Sequence, residues 1–161
     1  MSAPGTWFHG ASAPVSAIDP RRFGDDGELL CLSGSVSIAC RYGPVISRFV
    51  LADDAVLLRC TPTDWKTARS PSIYELRDEG YAALMLEADP SSFDFAAPTL
   101  FVIRADAVLY RGTLAAHEIM TLDDGLAKSH DPAGPGDRGW KEYVSSVYDG
   151  DERAALDDLT P

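Results

Sequence analysis

The chain has 161 residues, 45% of them hydrophobic, which suits a single domain with a buried core and argues against a disordered polypeptide. Its 25 acids against 14 bases give a formal charge of −11, a surplus that repels phosphate backbones and disfavours a direct nucleic-acid partner. The imbalance grows along the chain: residues 114–161 hold 11 acids and 4 bases, residues 1–113 hold 14 and 10. An acidic C-terminal part either steers the chain to a basic protein or forms a solvated face.

The first residues, MSAPGTWFHG, lack a charged segment followed by an apolar one. A cytoplasmic protein, of the producing or a host cell, is therefore expected. No apolar run approaches the roughly 20 residues of a membrane span, so no membrane association is expected. Residues 6–9 (TWFH) are β-prone and close at Gly10. After a loop rich in turn residues, residues 28–32 (ELLCL) read as a buried strand broken by Ser33-Gly34-Ser35. Ser35 is placed to cap a short helix through Tyr42, which Gly43-Pro44 ends.

Residues 45–51 (VISRFVL) and 55–60 (AVLLRC) read as strands. A helix is expected over 70–80, opened by Ser70-Pro71 and stopped by Gly80. Residues 82–86 (AALML) form a short buried strand, and residues 99–105 another, which 107–110 continue or pair with. Beyond a linker at 131–139, residues 140–159 have helical character, with Trp140, Tyr143, Val144 and Val147 forming a stripe that packs the last helix onto the domain. Many short strands with two short inserted helices give an α+β class. Of the three cysteines, Cys31, Cys40 and Cys60, the first and last stand in apolar runs and are expected to be buried and reduced. No spacing of histidines and cysteines suggests a metal.

Three segments, in order, resemble the ADP-ribosyltransferase fold in its diphtheria-toxin-like branch. Trp7-Phe8-His9-Gly10-Ala11-Ser12 resembles the opening strand of that branch, an aromatic followed by His-Gly and Thr or Ser. Leu30-Cys31-Leu32-Ser33, then Ala39 and Tyr42-Gly43, resembles its strand, Ser or Thr, and the helix that floors the nicotinamide pocket. Gly80-Tyr81-Ala82-Ala83-Leu84 resembles the turn and strand before the acidic motif, and residues 99–110 (TLFVIRADAVLY) the strand after it. Two positions depart from the pattern: Cys31 replaces a usual aromatic, and Thr99 a usual acid. The first 60 residues also resemble phage-encoded anti-CRISPR ADP-ribosyltransferases, through Phe8-His9, Arg22-Phe23-Gly24 and Glu28-Leu29-Leu30.

The resemblance implies one domain over residues 1–161, its core at about 6–110 and an extension at 114–161. The core would be a split β-sheet with short inserted helices, followed by a C-terminal helix. NAD is implied as substrate, held by His9, Gly10, Ala11, Arg22, Phe23, Ser33 and Tyr42. His9 would bond a ribose hydroxyl, since an imidazole donates and accepts at once, and Gly10 would let the nicotinamide amide approach its backbone. The catalytic acid is expected among Glu87, Asp89 and Asp94, with Glu87 preferred because it directly follows a strand. Read without the resemblance, Arg22 is half of a surface salt bridge, Ser33 a strand terminator and Tyr42 a core residue. The implied activity is mono-ADP-ribosyl transfer to a protein target, in an anti-defence or effector role. The alternative is a non-catalytic interaction module of the same fold acting through its acidic surface; Cys31 and Thr99 favour it, while Phe8-His9-Gly10 favours the enzyme.

Overall fold

The computed structural model describes residues 5–14, 30–67, 73–93, 95–129, 134–137 and 139–159. Arg22, Phe23, Glu28, Ser70, Pro71, Asp94 and His130 lie outside them. The architecture is α+β: seven strands in one curled, mixed sheet, with short helices laid against it. In chain order these are β1 (Thr6–Ala11), β2 (Leu30–Ser33), α1 (Val36–Cys40), β3 (Val45–Leu51), β4 (Leu57–Cys60), α2 (Pro62–Thr67), α3 (Ile73–Asp78), β5 (Ala83–Leu86), β6 (Thr99–Val102), β7 (Val108–Thr113), α4 (Ala116–Leu122), α5 (Leu126–Ser129), α6 (Trp140–Val147) and α7 (Glu152–Leu159). The strand order is β4-β5-β6-β2-β1-β3-β7, parallel only between β4 and β5.

A seam divides this sheet. β1 pairs with β3 along its whole length, from Thr6 opposite Val50 to Ala11 opposite Val45. β2 pairs just as fully with β6, from Leu30 opposite Val102 to Ser33 opposite Thr99. Between the two halves, the only ladder pair among the described residues is Phe8 opposite Ser33.

The period-2 alternation of strands sorts side chains onto two faces. Trp7, Leu32, Phe49, Met85, Leu100 and Val102 form the main core on one face. On the other, Phe8 and Ile46 pack with Val36 and Ala39 of α1, while Leu84 and Leu86 pack with Leu76 of α3. That alternation corrects the expectation for Cys31: its neighbour Leu32 is fully buried, and Cys31 itself is exposed on the opposite face.

Several elements differ from the sequence reading. Residues 108–113 neither continue β6 nor pair with it but add to the far edge of the sheet against β3. α2, α4 and α5 were not expected. The start of α2 carries a readable signal, since the Thr61 hydroxyl accepts the Asp64 N–H at 3.0 Å ahead of Pro62.

The expected single C-terminal helix is two. Asp149 (φ 50°) and Gly150 (φ 84°) adopt left-handed conformations that end α6, and α7 then packs back on it. Trp140, Val144 and Ala155 form a small core of their own, and the Trp140 indole N–H donates to Glu152 at 2.9 Å. Tyr143 meets Phe93 of the main body edge to face, ring centroids 5.6 Å apart. Val147, expected in the packed stripe, is instead 45% exposed. Trp140→Ala should cost about 3–5 kcal/mol within this small core. In hydrogen exchange, amides of α6 and α7 should lose protection while those of β1 and β3 keep it; equal loss in both would contradict a separate core.

Candidate functional site

A cavity of about 400 Å³ opens at the seam, where β1 and β2 part. This lies within the ~300–1,000 Å³ usual for small-molecule sites. Phe8, His9 and Gly10 of β1 form one wall, and Cys31, Leu32 and Ser33 of β2 another. Ile38 and Ala39 of α1, with Tyr42 just after it, form the floor, and Phe95, Thr99 and Phe101 complete it.

His9 bridges the seam. Its Nδ1 lies 3.1 Å from the Cys31 carbonyl. A carbonyl only accepts, so Nδ1–H is the donor. The ring thereby joins β1 to β2 beyond the last backbone pair. Gly10 is where α1 comes closest: a Cβ there would lie 1.9 Å from the Ala39 carbonyl oxygen. Only glycine permits that approach.

Helix α1 is held from both ends by distant residues. At its start, Ser35 caps the Ile38 N–H, as expected from sequence. The Asp124 carboxylate accepts from the hydroxyls of Ser35 (2.9 Å) and Ser37 (2.7 Å) and from the Leu126 N–H (3.1 Å). Burial alone would raise this carboxyl, but the hydrogen bonds from Ser37, Leu126 and Ser35 outweigh it and hold it below its ordinary 3.8. At the helix end, the Arg41 guanidinium donates to the Phe93 and Ala127 carbonyls, both at 2.7 Å, and lies 3.7 Å from the Phe93 ring centroid. The links from α1 to Asp124, Phe93 and Ala127 were not visible in the sequence, because 52 to 89 residues separate the partners.

His9, Gly10, Ser33 and Tyr42 thus line one cavity. Ser33 has a structural task besides: its hydroxyl accepts the Ser35 N–H at 3.1 Å. Tyr42 is 56% exposed at the wall, so it is not a core residue. Ala11 and the two acids, Glu87 and Asp89, are not among the lining residues. Glu87 is exposed, one residue past the Leu86–Thr99 pair, and its N–H donates to the Cys60 carbonyl. Burial, then Asp64, then Glu87 push the Cys60 thiol above its ordinary value. Asp89 folds the loop that carries Phe95, accepting the Ser91 N–H and hydroxyl and donating its own N–H to the Phe95 carbonyl at 2.7 Å. The sequence reading missed Phe95 and Phe101 as lining residues, since no local pattern reveals which strands become neighbours.

A more open hollow of about 580 Å³ runs along α6, bordered by Asp137, Glu142 and Glu152 with Lys141. Among the described residues that border it, carboxylates outnumber cations, which disfavours a dinucleotide's phosphates. Among the described residues no group of histidines, cysteines and acids suits a metal ion, and no helix is long and apolar enough to cross a membrane. No protein-family model matches the chain, and no curated protein or solved structure is significantly similar to it.

Two outcomes follow from how α1 is held. Gly10→Ala should lower stability by about 1–3 kcal/mol, the usual range for overpacking, as read from urea denaturation. Because the Asp124 carboxyl lies lower in the folded chain than in the unfolded one, its stabilisation is complete above about pH 4 and is lost as pH falls through the folded-state value. Asp124→Asn should therefore be less stable at neutral pH and show a shallower decline below about pH 4; an unchanged acid limb would contradict the link.

Proposed function

We propose that this chain is an ADP-ribosyltransferase-type protein whose seam cavity takes the nicotinamide end of NAD. The observation that carries this reading is the convergence of His9, Gly10, Ser33, Ala39 and Tyr42, drawn from two separate segments, on one largely apolar cavity. A flat heteroaromatic ring suits apolar, aromatic walls, and the His9 imidazole suits a ribose hydroxyl. The seam between the β4-β5-β6-β2 and β1-β3-β7 halves supports the split-sheet form of the fold.

In the proposed reaction the C1′–N bond of NAD breaks and nicotinamide leaves with the electron pair. A nucleophilic side chain of a protein target bonds to C1′ and releases its proton to solvent or a carboxylate. Positive charge gathers on the ribose as the bond breaks, so a fixed carboxylate lowers the barrier. Glu87 is the residue proposed for this role and Asp89 the second choice. The adenosine diphosphate half would extend beyond the cavity, where Arg22 and Phe23 are the proposed contacts. The target is a protein, and the setting is the cytoplasm of the producing or host cell, in an anti-defence or effector role.

A second reading has its own support. No carboxylate is among the described residues that line the cavity, and Thr99 lines it where an acid is usual. Leu156 and Leu159 are exposed on α7 beside Asp157 and Asp158. These features favour a non-catalytic module that binds a basic partner through its acidic end.

Calorimetry with NAD tests the first reading. His9→Ala should weaken NAD binding by about 1–3 kcal/mol, and a folded wild type that binds no NAD at millimolar concentration would remove the site. Glu87→Gln should reduce nicotinamide release by on the order of a hundredfold with NAD affinity nearly unchanged, as for a contact made only in the transition state. No release from wild type in the presence of its target would leave the non-catalytic module.

A further inference from the structure

We propose that Phe101 supplies the ring face on which the nicotinamide of NAD stacks, in place of an aromatic at position 31. This inference rests on the reading of the cavity as an NAD site. Cys31 and Phe101 are directly opposite each other in the β2–β6 ladder. Opposed residues project from the same face with Cβ atoms about 4.5–5.5 Å apart, and both line the cavity. The small Cys31 side chain leaves the space beside it open to the ring across the ladder.

Phe101 is also held in place. On its other side it pairs with Leu84, and it packs against the buried cluster of Leu76, Leu84, Leu86 and Ile103. A ring fixed in this way loses little further freedom when a ligand stacks on it. The other aromatic walls are less suited. Phe8 is only 7% exposed, and Tyr42, at 56%, would have to be ordered on binding. Phe95 belongs to a loop, whereas Phe101 sits in a strand paired on both sides.

The nicotinamide of NAD is a cationic pyridinium ring. An aromatic face attracts such a cation through its quadrupole, to a degree that grows as water is excluded. The reduced dinucleotide has an uncharged ring, and ADP-ribose has no ring there at all. These three ligands separate stacking from other contributions.

Calorimetric titrations of NAD, reduced NAD and ADP-ribose into wild type, Phe101→Leu and the exchanged pair Cys31→Phe with Phe101→Leu test the proposal. Wild type should prefer NAD to reduced NAD severalfold. Phe101→Leu should weaken NAD about tenfold, in line with a partly desolvated cation–ring contact, and leave ADP-ribose unchanged. The exchanged pair should recover most of the NAD affinity. Equal affinity of wild type for the oxidised and reduced forms would overturn the proposal without any variant. So would parallel losses of NAD and ADP-ribose in Phe101→Leu, or no loss of either, and both would leave the NAD reading standing. A wild type that binds none of the three removes that reading and this inference together.

Discussion

The contact between Gly10 and Ala39 governs the shape of the site. With no Cβ in the way, α1 comes against β1 at backbone distance, and the cavity is the space left beside that contact where β2 turns aside. Phe8, two residues earlier on the same face of β1, packs against Val36 and Ala39 and so ties the same helix to the same strand. Gly43 repeats the device after the helix, where a Cβ would fall 2.3 Å from the Ala11 carbonyl carbon. Both glycines act at the C-terminal end of α1, Gly10 against Ala39 and Gly43 just past the helix.

Close packing alone does not hold a five-residue helix, which is too short to be stable by itself. The added restraint comes from residues 93 and 124–127. Asp124 gathers the hydroxyls at the start of α1, Arg41 ties its end to two carbonyls, and Ile38 is buried among Ala96, Ala97, Leu126 and Ala127. Ile38 and Ala39 of α1 thus floor the cavity, while chain that arrives much later packs on Ile38. The Phe93 ring extends this connection, since it takes Arg41 on one side and Tyr143 of α6 on another.

The acidic end of the chain is a structured unit with a core of its own rather than one long helix. Trp140, Val144 and Ala155 are buried, while the acids of α7 and its two leucines face outward. Such a unit leaves its charged surface available without weakening the sheet, because its main apolar contacts are internal.

Local chemistry was enough to determine much of this protein from sequence. The strand at 45–51 is found where alternation places it, Ser35 caps α1, and Gly80 (φ 95°) stops α3. His9 and Gly10 were singled out through the resemblance of Trp7-Phe8-His9-Gly10 to a known opening strand. What tertiary structure alone decided is which of these segments meet. Residues 108–113 are a strand in either description, yet only the folded sheet assigns them to β3 instead of β6. Cys31 lies in an apolar run, but the pleat, not the run, decides that Leu32 is buried and Cys31 is exposed. The pairing of Cys31 with Phe101, and of Asp124 with Ser37, joins residues 70 and 87 positions apart. A hydrophobic pattern specifies the face on which a side chain emerges; the neighbour it meets there depends on strand order and register, which only the packed chain sets.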